Sequence, residues 1–279
     1  MIFIATLTTL LIERFFDWSH LRHWKWYTKL QQTLAAKLYG HTTLVLVISV
    51  VIPLIIIGTI QLLLKNWLYG IASLVFQFAV LFYCIGPRNF WADTFASINA
   101  LQQADPEQAA QQLHTAFAIQ ELGDTEQAHR QLTNHVFIEA NRRLFAVIFW
   151  FAILGPLGAV LYRTVSLTAV NTQEPLADLA QRARTVEAAL DWLPIRVLTF
   201  LFALTGHFVH VLSSWRKKVL FTWDANNLLL AGCGMAALHN EKHGHVAEDG
   251  STERAAVSLV DRTLVVWLII VAAVNLVLL

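Results

Sequence analysis

From Thr43 to Leu64 the chain reads TLVLVISVVIPLIIIGTIQLLL, with no ionisable residue. At 1.5 Å per residue this is about 33 Å of helix, enough to cross the hydrocarbon of a bilayer. Lipid offers no partner to a backbone amide, so a chain that lives there must be helical or form a closed barrel. Barrel strands alternate apolar and polar residues, and this run does not. It predicts an all-α, polytopic membrane helix bundle.

The remaining composition agrees, with 56% hydrophobic and 14% charged residues against about 25% charged in an average soluble domain. A formal charge of +1 supplies no dense basic patch, so nucleic acid is excluded as a partner and the lipid bilayer is the expected one. The two cysteines, Cys84 and Cys233, have neither metal-ligand spacing nor the pattern of a secreted framework, and read as reduced and inert. No basic segment precedes the first apolar run, which argues against a cleaved signal peptide.

Three further spans are expected at Tyr69 to Gly86, Leu144 to Val165 and Leu264 to Leu279. Two more segments are shorter or more polar. Ile2 to Phe16 closes on Glu13 and Arg14, and Ile195 to Leu212 carries His207 and His210. Six membrane segments, or four spans with two interfacial helices, are both compatible with these lengths. If all six cross, residues 17–42, 87–143 and 213–263 share one side with 4, 4 and 6 Lys or Arg, while Lys65, Arg182 and Arg184 lie opposite. Fourteen against three places those loops in the cytoplasm by the positive-inside rule. The expected organisation is membrane segments over 1–86, a cytoplasmic helical hairpin over 87–143, and membrane segments with an outer loop 166–194 over 144–213. A mobile cytoplasmic loop over 214–263 and a last span over 264–279 complete it.

Caps write the hairpin. Asp105 precedes Pro106 at the first helical position with Gln108 following, and Gly123 is a natural stop; Asp124 then caps a second helix with Gln127 at its third position. Leu113, Ala116 and Phe117 form one apolar stripe, and Leu132, Val136 and Ala140 another. No breaker separates the second helix from the span that follows, so Glu139, Asn141, Arg142 and Arg143 sit at a membrane entrance.

Glu139 with Arg142 and Arg143 is an ordinary i, i+3, i+4 helix pair, or a carboxylate and guanidinium site for a phosphate or metal-bound phosphate. Glu13 is a local partner of Arg14, or joins Glu139 in one polar cluster. Arg163 stands inside a span, where a charge costs about 2.5–3.5 kcal/mol unless it snorkels or pairs. It either reaches the headgroups beside Tyr162 or meets Asp191, which with Arg196 flanks Pro194; Arg163, Asp191, Arg196 and His207 are the expected polar seam. His207 and His210 read as hydrogen-bonded bundle histidines, or as proton- or ligand-linked groups. His239, His243 and His245 imitate a zinc set, but their Gly-rich charged segment argues against a metal, and no strand precedes Gly232 and Gly234 to make a dinucleotide fingerprint. Gly155 and Pro156 should kink the span that holds them, and Gly155 with Ala159 offers a close-approach surface.

The stretch IEANRRLFAVIFWFAILGPLGAVLYR, Ile138 to Arg163, with DWLPIRVLTFLFALTGH, Asp191 to His207, and the opening LLIERFF, Leu10 to Phe16, resembles the AmpE family of bacterial inner-membrane regulatory signalling modulators. The resemblance implies a multi-pass inner-membrane location and a regulatory or sensory role in peptidoglycan recycling and β-lactamase induction. It also implies recycling proteins or a muropeptide-type ligand as partners. The FW-x4-GP-x-GA-x2-YR pattern at Phe149 to Arg163 is shared, more distantly, with the cobalamin-biosynthesis membrane protein CbiB, a ligase-type enzyme acting on a corrinoid carboxylate. This chain has Thr164, Val165, Ser166, Leu167 and Thr168 where that family has Asn-Thr-x-Asp-Ser-Met. The CbiB-like alternative is therefore a ligase or transferase for another phosphorylated or carboxylate substrate. Neither resemblance assigns a catalytic residue or a cofactor; Glu13, Glu139, Asn141 and Arg142 are the ligand-binding candidates.

Overall fold

The computed structural model describes residues 2–15, 22–38, 40–64, 71–86, 88–103, 106–119, 123–171, 176–217, 223, 225–238 and 249–277. Among these, all regular structure is helical, as expected of a membrane helix bundle. Three helices are long and apolar enough to cross a membrane: Thr42–Leu64, Ala177–Thr205 and Ser251–Val277, with 23, 29 and 27 residues. Ile71–Cys84 and Asn226–Leu238 are apolar but shorter.

The chain forms two compact units built from discontinuous segments. The first takes Met1–Pro87, Ala146–Asp191 and Val271–Leu279. It contains α1 (Ile2–Phe15), α2 (Lys25–Lys37), α3 (Thr42–Leu64), α4 (Ile71–Cys84), α8 (Ala146–Leu154), α9 (Pro156–Val170) and the start of α10 (Ala177–Thr205). Val45, Leu46 and Val50 of α3 pack with Val165 and Ala169 of α9 and with Leu179 and Ala183 of α10. Their spacing by three or four positions is what a helix needs to turn one face to a core.

The second unit takes Arg88–Phe145 and Trp192–Ile270. It holds α5 (Phe90–Gln102), α6 (Pro106–Phe117), α7 (Thr125–Ala140), a π turn (Asn141–Phe145), the end of α10, α11 (Phe208–Lys217), α12 (Asn226–Leu238) and most of α13 (Ser251–Val277). Asp124 caps α7 as its sequence promised, accepting from the Gln127 amide at 2.8 Å. Leu113, Leu132 and Val136 are fully buried. The helical hairpin gains a third helix, α5, which packs on both α6 and α7. Asn89 caps it, its side chain accepting from the Ala92 amide at 2.9 Å.

Several boundaries differ from the sequence expectation, each for a local reason. The helix expected to reach Gly123 ends at Phe117, where Ala118 takes φ +55°. The capping residue proposed for it, Asp105, lies outside the described residues. The span expected from Leu144 to Val165 is two helices: Gly155 adopts φ 65° and ψ −150°, a region essentially reserved for glycine, and Pro156 then opens α9. A Cβ on Gly158 would stand 2.1 Å from the Trp150 carbonyl oxygen, so its absence lets α9 close on α8.

The expected outer loop, 166–194, is largely helix, since α9 runs to Val170 and α10 begins at Ala177. It does not lie across a bilayer from the expected cytoplasmic segment 17–42, because Gln31 donates to Thr168 at 2.6 Å. The six-span charge count is corrected there: it assumed that every apolar run crosses, and hydropathy cannot show which ends pack together. Its charges rule out a lipid span but not a helix with Leu179, Ala180 and Ala183 on a buried face. The segment expected from Ile195 to Leu212 breaks at Gly206, where a Cβ would lie 2.7 Å from the Ala237 carbonyl oxygen. Within 214–263, expected as a mobile loop, α12 forms and buries Cys233 completely. Gly234 there serves packing, because any Cβ would fall 2.5 Å from the Phe137 ring. His239, His243 and His245 lie outside the described residues.

Candidate functional site

In the second unit α5 with the residues just before it, α7 and the π turn assemble an alternating row of charges: Arg88, Asp93, Arg143, Glu139 and Arg142. Arg88 Nη2 is 2.8 Å from Asp93 Oδ1. Arg143 Nη1 is 2.7 Å from Asp93 Oδ2, and its Nε is 2.7 Å from Glu139 Oε2. Arg142 Nη1 ends the row 3.6 Å from Glu139 Oε1. Arg143 also donates to the Ala116 carbonyl and lies 5.6 Å from the centre of the Phe117 ring. Arg88 donates to the Thr115 carbonyl at 3.1 Å. Every member of this row therefore has a neighbour of opposite charge, the condition under which buried charges are tolerated.

The row is buried in its middle and open at its ends. The Asp93, Arg143 and Glu139 side chains are 9%, 9% and 12% exposed, whereas those of Arg88 and Arg142 are 43% and 26% exposed. Burial by itself would raise the Glu139 carboxyl, but the Arg143 and Arg142 charges and the Arg143 hydrogen bond together hold it below its ordinary range. The row ends in partly exposed guanidiniums, groups whose planar donor fork suits a carboxylate or phosphate. The π turn carries Asn141, Arg142 and Arg143 itself, and such turns recur at functional positions in helices.

Of the ligand-binding candidates, Glu139, Asn141 and Arg142 thus occupy one locality, with Asn141 buried in the π turn. Glu13 belongs to the first unit, where it forms an ion pair with Arg22 at 2.8 Å, both side chains fully enclosed. Sequence reasoning singled out neither Asp93 nor Arg88. Asp93 had a weak signal, an acid in the first turn of a helix capped by Asn89. It likewise missed His129 and Glu253, whose Nδ1 and Oε1 meet at 2.7 Å with both residues completely buried. That pair ties α7 to α13.

The polar seam is distributed. Arg163 is 2% exposed, and its Nε donates to the Cys84 carbonyl, while the neighbouring Tyr162 hydroxyl donates to Asp191 at 2.8 Å. Arg196 donates to Asn226 Oδ1 at 2.6 Å and covers the Trp192 ring at 4.6 Å. His207 is exposed at the break between α10 and α11, its amide donating to the Ala237 carbonyl at 3.1 Å. It does not sit inside a continuous apolar helix with His210, because Gly206 ends that helix.

A helical membrane protein with a buried arginine-centred charge row at a π turn is the class this structure defines. The family model described as "Regulatory signalling modulator protein AmpE" matches residues 1–278. The chain belongs to the AmpE family. It is 23% identical over 284 residues to Protein AmpE of Shigella flexneri, covering 98% of this chain and 97% of the relative. It is also 26% identical over 207 residues to the cobalamin biosynthesis protein CobD of Stutzerimonas stutzeri, with 67% of each chain covered. A CobD of Chromobacterium violaceum is 26% identical over 170 residues, 58% of this chain and 54% of that one. No solved structure matches the chain significantly.

Proposed function

We propose that this protein is a multi-pass inner-membrane regulator that links peptidoglycan recycling to the β-lactam response. In this reading it senses an anionic muropeptide-type ligand, or a recycling protein presenting one, at the cytoplasmic end of the charge row. Membership of a regulatory signalling family over nearly the whole chain supports the role. The single observation that supports the place is the pair of partly exposed arginines, Arg88 and Arg142, at the ends of a buried charge row. Arg143, Asp93 and Glu139 hold the row together, and the terminal guanidiniums meet the ligand's carboxylate or phosphate.

The test is complementation of a deletion strain with Arg88→Ala and Arg142→Ala. The expected result is loss of inducible β-lactamase while both variants accumulate normally in the membrane. Wild-type induction by both would remove the arginine ends from the mechanism. The two CobD relatives favour a second reading, a membrane ligase or transferase for a phosphorylated or carboxylate substrate at the same place. Covalent modification of a non-corrinoid carboxylate or phosphorylated substrate by the purified protein in detergent, lost in Arg142→Ala, would favour that reading over the first.

A further inference from the structure

The first unit contains a cavity of 390 Å³ between α2, α3 and α4, of a size that holds small ligands. Trp24, Trp26, Pro53, Ile57, Phe76 and Tyr83 are among its walls, and nearly all of that surface is carbon. Two of its three polar aromatic groups are satisfied. Trp26 Nε1 donates to the Tyr83 hydroxyl at 2.9 Å, and that hydroxyl donates to the His23 carbonyl at 2.8 Å.

The third is different. Trp24 is only 9% exposed, and its Nε1 is buried without an acceptor among the described residues. Its ring packs against Tyr83 at 4.7 Å, Trp26 at 5.7 Å and Tyr27 at 6.0 Å. A buried donor left unmade is costly, and an occupant of the cavity that brought an acceptor would relieve it. The helix that begins beside Trp24 is basic throughout: α2 carries Lys25, Lys29 and Lys37, all exposed, and no acidic residue. α3, which supplies the apolar wall, is long and apolar enough to cross a membrane.

We propose that this cavity is a binding site for an anionic glycerophospholipid. One acyl chain fills the apolar space, an ester carbonyl accepts from Trp24 Nε1, and the headgroup phosphate lies against the lysines of α2. The carbonyl requirement distinguishes this occupant from a polyprenyl phosphate, which has none, and the lysines distinguish it from a zwitterionic lipid. The site goes beyond the arginine row and does not rest on its reading.

Delipidated full-length protein in detergent is titrated by native mass spectrometry with four probes: ester-linked dioleoyl phosphatidylglycerol, its diether analogue, dioleoyl phosphatidylcholine and a long-chain polyprenyl phosphate. Ester-linked phosphatidylglycerol binds tightest, and the diether analogue binds about three- to tenfold more weakly, as loss of one hydrogen bond requires. Trp24→Phe, which keeps the ring's bulk, binds ester and diether forms alike at the weaker level. Lys25→Glu with Lys29→Glu removes the preference for phosphatidylglycerol over phosphatidylcholine, and Ala79→Trp, which fills the cavity, removes the bound lipid. Equal ester and diether affinity in the wild type, which involves no variant and no risk of misfolding, overturns the proposal. So do equal binding of phosphatidylcholine, tighter binding of the polyprenyl phosphate, or unchanged lipid occupancy in a folded Ala79→Trp protein.

Discussion

The Arg143 guanidinium meets the Asp93 carboxylate at 2.7 Å across 50 residues of sequence, joining the π turn to α5. Breaking a buried pair from one side leaves a desolvated charge, which costs about 3–5 kcal/mol. Asp93→Ala and Arg143→Met should each lower the detergent melting temperature sharply. The double variant should lose less than the sum of the two, since the contact between Arg143 and Asp93 is then counted only once. Additive losses would show that the pair is not coupled.

Glu139 gives the same row a pH dependence. Its carboxyl titrates below the ordinary value of 4.5 in the folded protein, so the folded state binds the proton less readily than the unfolded chain does. The resulting stabilisation is complete above the unfolded value and is lost as pH falls through the lower, folded one. The Glu139 part of the melting temperature should therefore hold from neutral pH down to about 4.5 and fall below it, and Glu139→Gln should flatten part of that fall. An identical profile in the variant would remove Glu139 from the acid response.

Gly155 tests the break between α8 and α9. No neighbouring atom lies within 4 Å of an added Cβ, so Gly155→Ala isolates the backbone penalty at φ 65°. A cost of about 1–3 kcal/mol is expected from denaturant unfolding in mixed micelles. A neutral result would mean that the junction relaxes without the glycine conformation.

Tyr162 and Asp191 link α9 to α10 through a 2.8 Å hydrogen bond. A bond to a charged acceptor contributes about 1.5–3 kcal/mol, so Tyr162→Phe should lower stability by that order. In an Asp191→Ala background the same substitution should cost little. If it costs as much as before, the hydroxyl's contribution comes from elsewhere.

The proposed sidedness is tested at Gln108, an exposed position on α6. The two native cysteines are buried and give a quiet background. A cysteine at Gln108 should resist an impermeant thiol reagent in intact cells and react after the membrane is opened. Rapid labelling of intact cells would place the 87–143 segment outside.

The sequence by itself determined the solvent, the helical class, the family resemblance, the Asp124 cap and the special character of Gly155 with Pro156. All of these are written over a few neighbouring residues, as continuous hydropathy, as caps or as backbone permission. It also placed Glu139, Asn141 and Arg142 together, because residues within four positions of one another share a helical locality. What it left open depended on partners far away in the chain. Asp93 finds Arg143 across 50 residues and His129 finds Glu253 across 124, and no spacing rule selects those pairs. The helical character of 177–191 and of α12 was likewise hidden, by surface charge in one case and by a polar neighbourhood in the other. Only packing shows that Leu179, Ala183, Leu229 and Cys233 are buried, and burial of such faces against other helices is what fixes segments too polar or too short to declare themselves.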